Sequence, residues 1–159
     1  MKKLFLCAAV AVFAFANVNA QEFKAGVSAA LPIGDAGDIA TFGVALDVAY
    51  LFEVSEEFQV GPSVGYSHSF GDSDIIDEDF SWLPISAAAR YAVSEEFTLG
   101  ADLGYAVGIS PSGIESGFYY APRAQYSVSD ALDIVLSYRG ISLDGITWST
   151  VNLGVEFGL

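Results

Sequence analysis

Apolar and polar side chains alternate at every second position over most of this chain. In 97–109, FTLGADLGYAVGI, one parity reads Phe97, Leu99, Ala101, Leu103, Tyr105, Val107, Ile109; the other reads Thr98, Gly100, Asp102, Gly104, Ala106, Gly108. A helix needs its apolar positions at a spacing near 3.6, so a spacing of two predicts a strand. The same alternation runs through 57–70 and 147–159, and eight such segments are predicted: 22–34, 40–53, 57–70, 81–93, 97–109, 118–128, 132–141 and 147–159. Most exceed the globular strand's usual length of about five to six residues.

The connections alternate in kind. Those at 54–57, 94–96 and 129–131 are tight, and the phrase VSEEF marks two of them, at 54–58 and 93–97, with an echo, VSDAL, at 128–132. Those at 35–39, 71–80, 110–117 and 142–146 are mostly longer and rich in Gly, Asp and Ser. Short turns at one end and longer loops at the other predict an all-β, eight-stranded antiparallel up-and-down transmembrane barrel, with both termini on the short-turn side.

The first twenty residues stand apart. MKKLFLCAAVAVFAFANVNA has a basic start, a short apolar run and Val18-Asn19-Ala20 before the expected cut, so 1–20 is predicted to be a signal peptide and 21–159 the barrel domain. Cys7 leaves with that segment, which excludes a disulfide or a thiolate metal site in the exported chain. Lys24, Arg90, Arg123 and Arg139 then remain against twenty acidic side chains. So acidic a chain repels nucleic-acid phosphates. No later apolar run reaches helix-spanning length, so a membrane crossing must use strands.

The polar parity is mainly Gly, Ser, Thr and Ala, sizes suited to the narrow interior of an eight-stranded barrel. A water-facing surface would carry Lys and Glu freely. Lys24, Arg90, Arg123 and Arg139 all fall on this parity, together with Asp47, Asp102, Asp133 and Glu156. Charges in a closed interior must be paired, so an internal salt-bridge network is predicted. Counting from the turns places Asp102 near Arg90 and level with Arg123, and Glu156 near Lys24 across the closing seam.

Aromatic residues of the opposite parity sort by depth. Phe23, Tyr50, Phe52, Phe58, Tyr91, Phe97, Tyr126 and Phe157 lie near the turn ends; Phe42, Tyr66, Phe70, Tyr105, Phe118 and Tyr120 lie near the loop ends. Two bands around an aliphatic middle are the girdles of a membrane barrel. Aromatics packing the core of a soluble barrel would show no such sorting.

The stretches GADLGYAVGIS, VGPSVGYSHSF and the terminal VNLGVEFGL carry a resemblance to the OmpA/OmpX-like small outer-membrane β-barrels of Gram-negative bacteria. The chain is most similar to the "outer membrane protein beta-barrel domain" type common in Bacteroidota. Over 21–159 the resemblance implies a monomeric outer-membrane protein with both termini periplasmic. Its partners would be outer-membrane lipid, lipopolysaccharide and, during biogenesis, the barrel-assembly machinery. Family members often end in an aromatic residue that this machinery reads; here the last residue is Leu159, with Phe157 two positions before it. The family's charged lumen implies a plug rather than a wide channel.

Some eight-stranded barrels of this kind modify lipid A through a His–Ser pair, which draws attention to His68 in YSHSF. A base and nucleophile two apart on a strand would share a face, but Ser67 and Ser69 have the opposite parity to His68, so an interfacial histidine is expected instead. In GDSDIIDEDF, the carboxylates Asp72, Asp74, Asp77, Glu78 and Asp79 are expected to bridge weakly to lipopolysaccharide through divalent cations. They form no dedicated metal site, because Ile76 stands where a third calcium-loop ligand would be. No cofactor is expected. The expected function is a non-enzymatic structural or surface-interaction role. The alternatives are a narrow porin-like channel for water or small ions, a lipid A-modifying enzyme, and a soluble periplasmic β-barrel binding protein.

Overall fold

The computed structural model describes residues 21–159, so the expected signal peptide lies outside the described residues. Eight strands follow in order: β1 (Gln21–Ile33), β2 (Ala40–Glu53), β3 (Phe58–Gly71), β4 (Phe80–Ala92), β5 (Phe97–Ser110), β6 (Gly117–Ser129), β7 (Leu132–Ser142) and β8 (Thr147–Gly158). Each strand end falls within one residue of its predicted place. Every strand pairs antiparallel with its sequence neighbours, and β1 closes on β8 from Lys24 opposite Gly158 to Ile33 opposite Ser149. Closure leaves no sheet edge, which a bilayer demands because lipid cannot satisfy free backbone groups.

The two copies of VSEEF fold into closely similar turns. Val54 and Ser55 both donate their N–H groups to the Phe58 carbonyl, at 2.8 and 3.1 Å; Val93 and Ser94 do the same to Phe97 at the same two distances. Among the described residues no non-glycine residue has positive φ, so these turns need no Asn-Gly pair. The loops at the other end do use left-handed backbone: Gly34, Gly113 and Gly145 have φ of 58°, 86° and 90°.

Proline, which cannot donate to a ladder, sits beside three gaps in the wall. Pairing lapses beside Pro62 between β2 and β3, beside Pro84 between β3 and β4, and beside Pro122 between β6 and β7.

The two faces divide as the alternation predicts, and the division is the reverse of a water-soluble protein's. Leu31, Leu46, Leu103 and Leu153 on the outer wall are each more than half exposed, while Arg90, Asp102, Arg123 and Glu156 are buried inside. An apolar outer belt of that extent calls for lipid rather than water. Of the expected girdle residues, Phe23, Tyr66, Tyr91, Phe97, Tyr105, Tyr126 and Phe157 are between 38% and 53% exposed, and Phe58 is half-buried. Phe52 departs from the expectation. It is 6% exposed, its ring edge-on to Tyr50 with centroids 4.9 Å apart, so it is covered where the other girdle rings stand free.

The interior is not uniformly small and polar. At the loop end, Phe80, Trp82, Tyr119, Ile141 and Trp148 form a buried apolar cluster. Trp148 lies 4.7 Å, centroid to centroid, from both Phe80 and Trp82. Below it the lumen is charged.

Candidate functional site

The charged part of the lumen is built from side chains on seven of the eight strands. Arg90 on β4 donates from Nη1 to Asp102 Oδ1 on β5 at 2.6 Å, and Arg123 on β6 reaches the other Asp102 oxygen at 3.8 Å. Arg123 also donates to Glu156 on β8 at 2.6 Å, and Gln125 donates to the second Glu156 oxygen at 2.8 Å. The result is a chain of alternating charge, Arg90–Asp102–Arg123–Glu156, running around half the barrel. One step toward the loops, both terminal nitrogens of Arg139 on β7 grip Asp47 on β2, at 3.1 and 2.6 Å. Bidentate geometry of this kind is the strongest arginine–carboxylate contact.

At the turn end, Lys24 departs from the predicted pairing. It lies 2.8 Å from Asp133 and 3.0 Å from Glu22, not against Glu156. Glu156 sits opposite Gly26 on β1, two residues past Lys24, and is taken by Arg123 and Gln125. Asp133 accepts from the Ser127 hydroxyl as well, and Gln59 donates to Glu22. The eight charges named from the sequence are four positive and four negative, and Glu22, beside Lys24, adds a fifth carboxylate to the network.

Above the charges, the mouth is capped. Ile39, Ile76, Ile114 and Leu143, one from each loop, pack against the Phe80–Trp82–Tyr119–Trp148 cluster. The Trp82 indole N–H donates to the Glu115 carbonyl at 3.1 Å, and the Glu115 carboxylate accepts from the Asp144 N–H at 3.1 Å. Loops are thus tied to the lumen and to each other. Sequence reasoning missed this cap, although counting by twos inward from Arg90 reaches Trp82 and Phe80, and from Glu156 reaches Trp148.

His68 has a serine partner that strand parity alone did not point to. Its Nδ1 lies 2.8 Å from Ser81 Oγ on the neighbouring strand, and its Nε2 lies 3.3 Å from Asp79 Oδ2. A carboxylate can only accept, so in the neutral ring Nε2 carries the proton and Nδ1 accepts from Ser81. The Tyr66 hydroxyl donates to the same Ser81 oxygen at 3.1 Å. Asp, His and Ser therefore stand in the order of a hydrolase relay. The Ser81 hydroxyl, however, is engaged on both sides, and the residue is 1% exposed; a nucleophile needs room for a carbonyl carbon beside it. These contacts tie the end of the β3–β4 loop to the wall, in the manner of a latch.

In the acidic loop, two of the five carboxylates bind local backbone. Asp72 accepts from the Asp74 N–H and Asp79 from the Gly71 N–H, each at 3.1 Å. Among the described residues no three His, Cys, Asp or Glu side chains converge to hold a metal ion. Ile76 points down into the cap while Ile75 is exposed.

Comparison with known proteins places this architecture. The chain resembles the Yersinia pestis outer membrane protein Ail, whose backbone structure in a phospholipid nanodisc superposes with a TM-score of 0.63 at 20% identity, covering 88% of this chain and 100% of that one. Neisserial surface protein A superposes with a TM-score of 0.53 at 17% identity, covering 86% and 96% respectively. At these identities the likeness speaks for the fold. No curated protein sequence matches the chain. The family model for the outer membrane protein beta-barrel domain matches residues 4–157. With its closed eight-stranded wall, lipid-facing belt and charged interior, the chain belongs to the outer membrane protein beta-barrel domain family, whose place is the outer membrane.

Proposed function

We propose that this chain is a non-enzymatic, monomeric barrel with a plugged lumen, whose loop end is a surface-interaction platform. One observation carries the reading: each of the four loops contributes an aliphatic side chain to a cap over Phe80, Trp82, Tyr119 and Trp148. A pore would have polar side chains at its mouth. Here an ion would have to cross an apolar seal before meeting the paired charges of the lumen, and each barrier alone opposes passage. The chain is inserted after removal of residues 1–20, with both termini in the periplasm and the loops at the cell surface. The barrel-assembly machinery is its partner in biogenesis.

The loop chemistry narrows the outer partner. The loops after β1, β3, β5 and β7 carry two, five, one and one acidic residues and no Lys or Arg. One structure of Ail holds the heparin analogue sucrose octasulfate; a rim this acidic repels such a polyanion. It suits contact with lipopolysaccharide only through bridging divalent cations. The alternative reading, a narrow channel for water or small ions, is tested directly by planar-bilayer recording of the refolded chain. The expected result is a silent membrane. Steady, reproducible single-channel steps would overturn the plugged-lumen reading.

A further inference from the structure

The outer wall of the barrel is grooved where β6 passes between β5 and β7. Pro122 and Ala124, the small side chains of β6 there, form the floor, while Leu99 on β5, Leu136 and Tyr138 on β7 and Val151 on β8 stand around it. The depression holds about 530 Å³, room for a single hydrocarbon chain and within the size of small-ligand sites. On β6 it is flanked by Phe118 and Tyr120 toward the loops and by Tyr126 toward the turns. The groove therefore lies between the aromatic bands and opens into the hydrocarbon of the bilayer.

Two features set it apart from a merely uneven stretch of wall. The first is a missing donor. β6 and β7 pair at Tyr120 with Gly140 and at Arg123 with Ser137, and the ladder lapses at Ala121 and Pro122 between them. Proline has no N–H to give, and saturated lipid tails cannot replace it, although hydrocarbon makes an unanswered backbone group costly. The second is a hydroxyl pair toward the loops. The Tyr138 hydroxyl and Ser149 Oγ lie 2.8 Å apart. Tyr120 stands beside them, its ring 6.1 Å from that of Tyr138 and laid over Gly140, where a Cβ would collide with it. An apolar slot thus has a donor gap in its floor and a polar edge on its outer-leaflet side.

We propose that this groove binds one acyl chain of an outer-leaflet lipid and prefers a chain that bears a hydroxyl near its head group. The tail lies over Pro122 and Ala124, and the hydroxyl donates at the gap in the ladder. Recognition falls to the chain because Lys24, Arg90, Arg123 and Arg139, the basic residues of 21–159, are all paired within the lumen and leave the outer wall no cation for a lipid phosphate. A second barrel would present a convex wall that meets the rims before the floor. The groove is not a doorway either, since Arg123 behind it is held by Glu156 at 2.6 Å. The inference rests on the outer-membrane location and is independent of whether the lumen conducts.

The test is methyl NMR of the chain in phosphatidylcholine nanodiscs, titrated with the methyl ester of β-hydroxymyristate and, separately, of myristate. Signals of Leu99, Leu136 and Val151 should shift saturably, while those of Leu31 and Leu46, on the opposite wall, should not. The hydroxylated ester should bind roughly three- to tenfold more tightly, the worth of one neutral hydrogen bond. Pro122→Ala, which restores an N–H, should erase that preference and keep the site; Ala124→Leu, which fills the floor, should abolish saturable shifts with both esters. Equal, unsaturable shifts on both walls of the unaltered chain would leave only bulk lipid contact and overturn the proposal. Equal affinity for the two esters, or a preference that survives Pro122→Ala, would overturn it too. So would groove signals that follow the number of chains per disc rather than the ester, which would seat a second copy there. The unaltered chain decides the question even if a variant fails to fold.

Discussion

Replacing Asp102 with alanine removes the carboxylate that both Arg90 and Arg123 face, at 2.6 and 3.8 Å. Arg123 keeps Glu156. Arg90 keeps only the carbonyls of Ala89, at 2.9 Å, and Ala101, at 3.5 Å, and its side chain is buried away from water. At an effective dielectric of about 20, unit charges 2.6 Å apart attract by roughly 6 kcal/mol, and the contact at 3.8 Å adds roughly 4. The several kcal/mol lost when each ion leaves water offset part of that gain. The expected cost of Asp102→Ala is thus about 3–5 kcal/mol, the range for orphaning a buried charge. The same reasoning predicts that the double variant Arg90→Met, Asp102→Leu recovers most of the loss, since neither charge is then buried alone. Equilibrium urea unfolding in lipid vesicles, followed by tryptophan emission, reads both numbers, because Trp82 and Trp148 both report from inside the barrel. If Asp102→Ala stays within about 1 kcal/mol of the unaltered chain, the size of an exposed pair, the lumen is wetter than its packing implies. A double variant no more stable than the single one would refute the argument outright.

Two further predictions concern the cap and the latch. Trp148→Ala removes ring contacts with Phe80 and Trp82 and should cost about 3–5 kcal/mol; if the cap is the seal, bilayer recordings should show steps where the unaltered chain is silent. Ser81→Ala breaks the hydrogen bonds to His68 and Tyr66 and should cost about 1–3 kcal/mol. Protease cleavage within 72–79 should quicken in that variant, while mass spectra of lipid A should be the same with the unaltered chain, with the variant and without either; a modification that depends on Ser81 would show the latch to be a reaction centre.

The wall was legible because a strand's period of two is written in every residue, and because a barrel must reverse at the same height each time. VSEEF at 54–58 and 93–97 shows this: the same five residues close similar turns with the same pair of hydrogen bonds. Which charges share the lumen was legible by parity; which charge meets which was not. Lys24 meets Asp133, on β7, because the inclined strands of a barrel bring partners across the lumen that no count along one ladder reveals. Ser81 escaped for a related reason: His68 finds it across the ladder rather than two residues along the strand. The cap is a different case. Parity alone would have turned Trp82 and Trp148 inward, but expecting aromatics only at the lipid interface hid a second use for them. In a barrel this narrow, the end that four loops cover can be sealed by large apolar rings, whereas the short turns carry Glu56, Glu57, Glu95 and Glu96, which are exposed and stay hydrated rather than packing over an opening. Charge closes the lower lumen, with Lys24 between Glu22 and Asp133, and hydrophobicity closes the upper one. On the proposed function, that difference in closure, more than any single residue, makes the loop end the face offered to a partner.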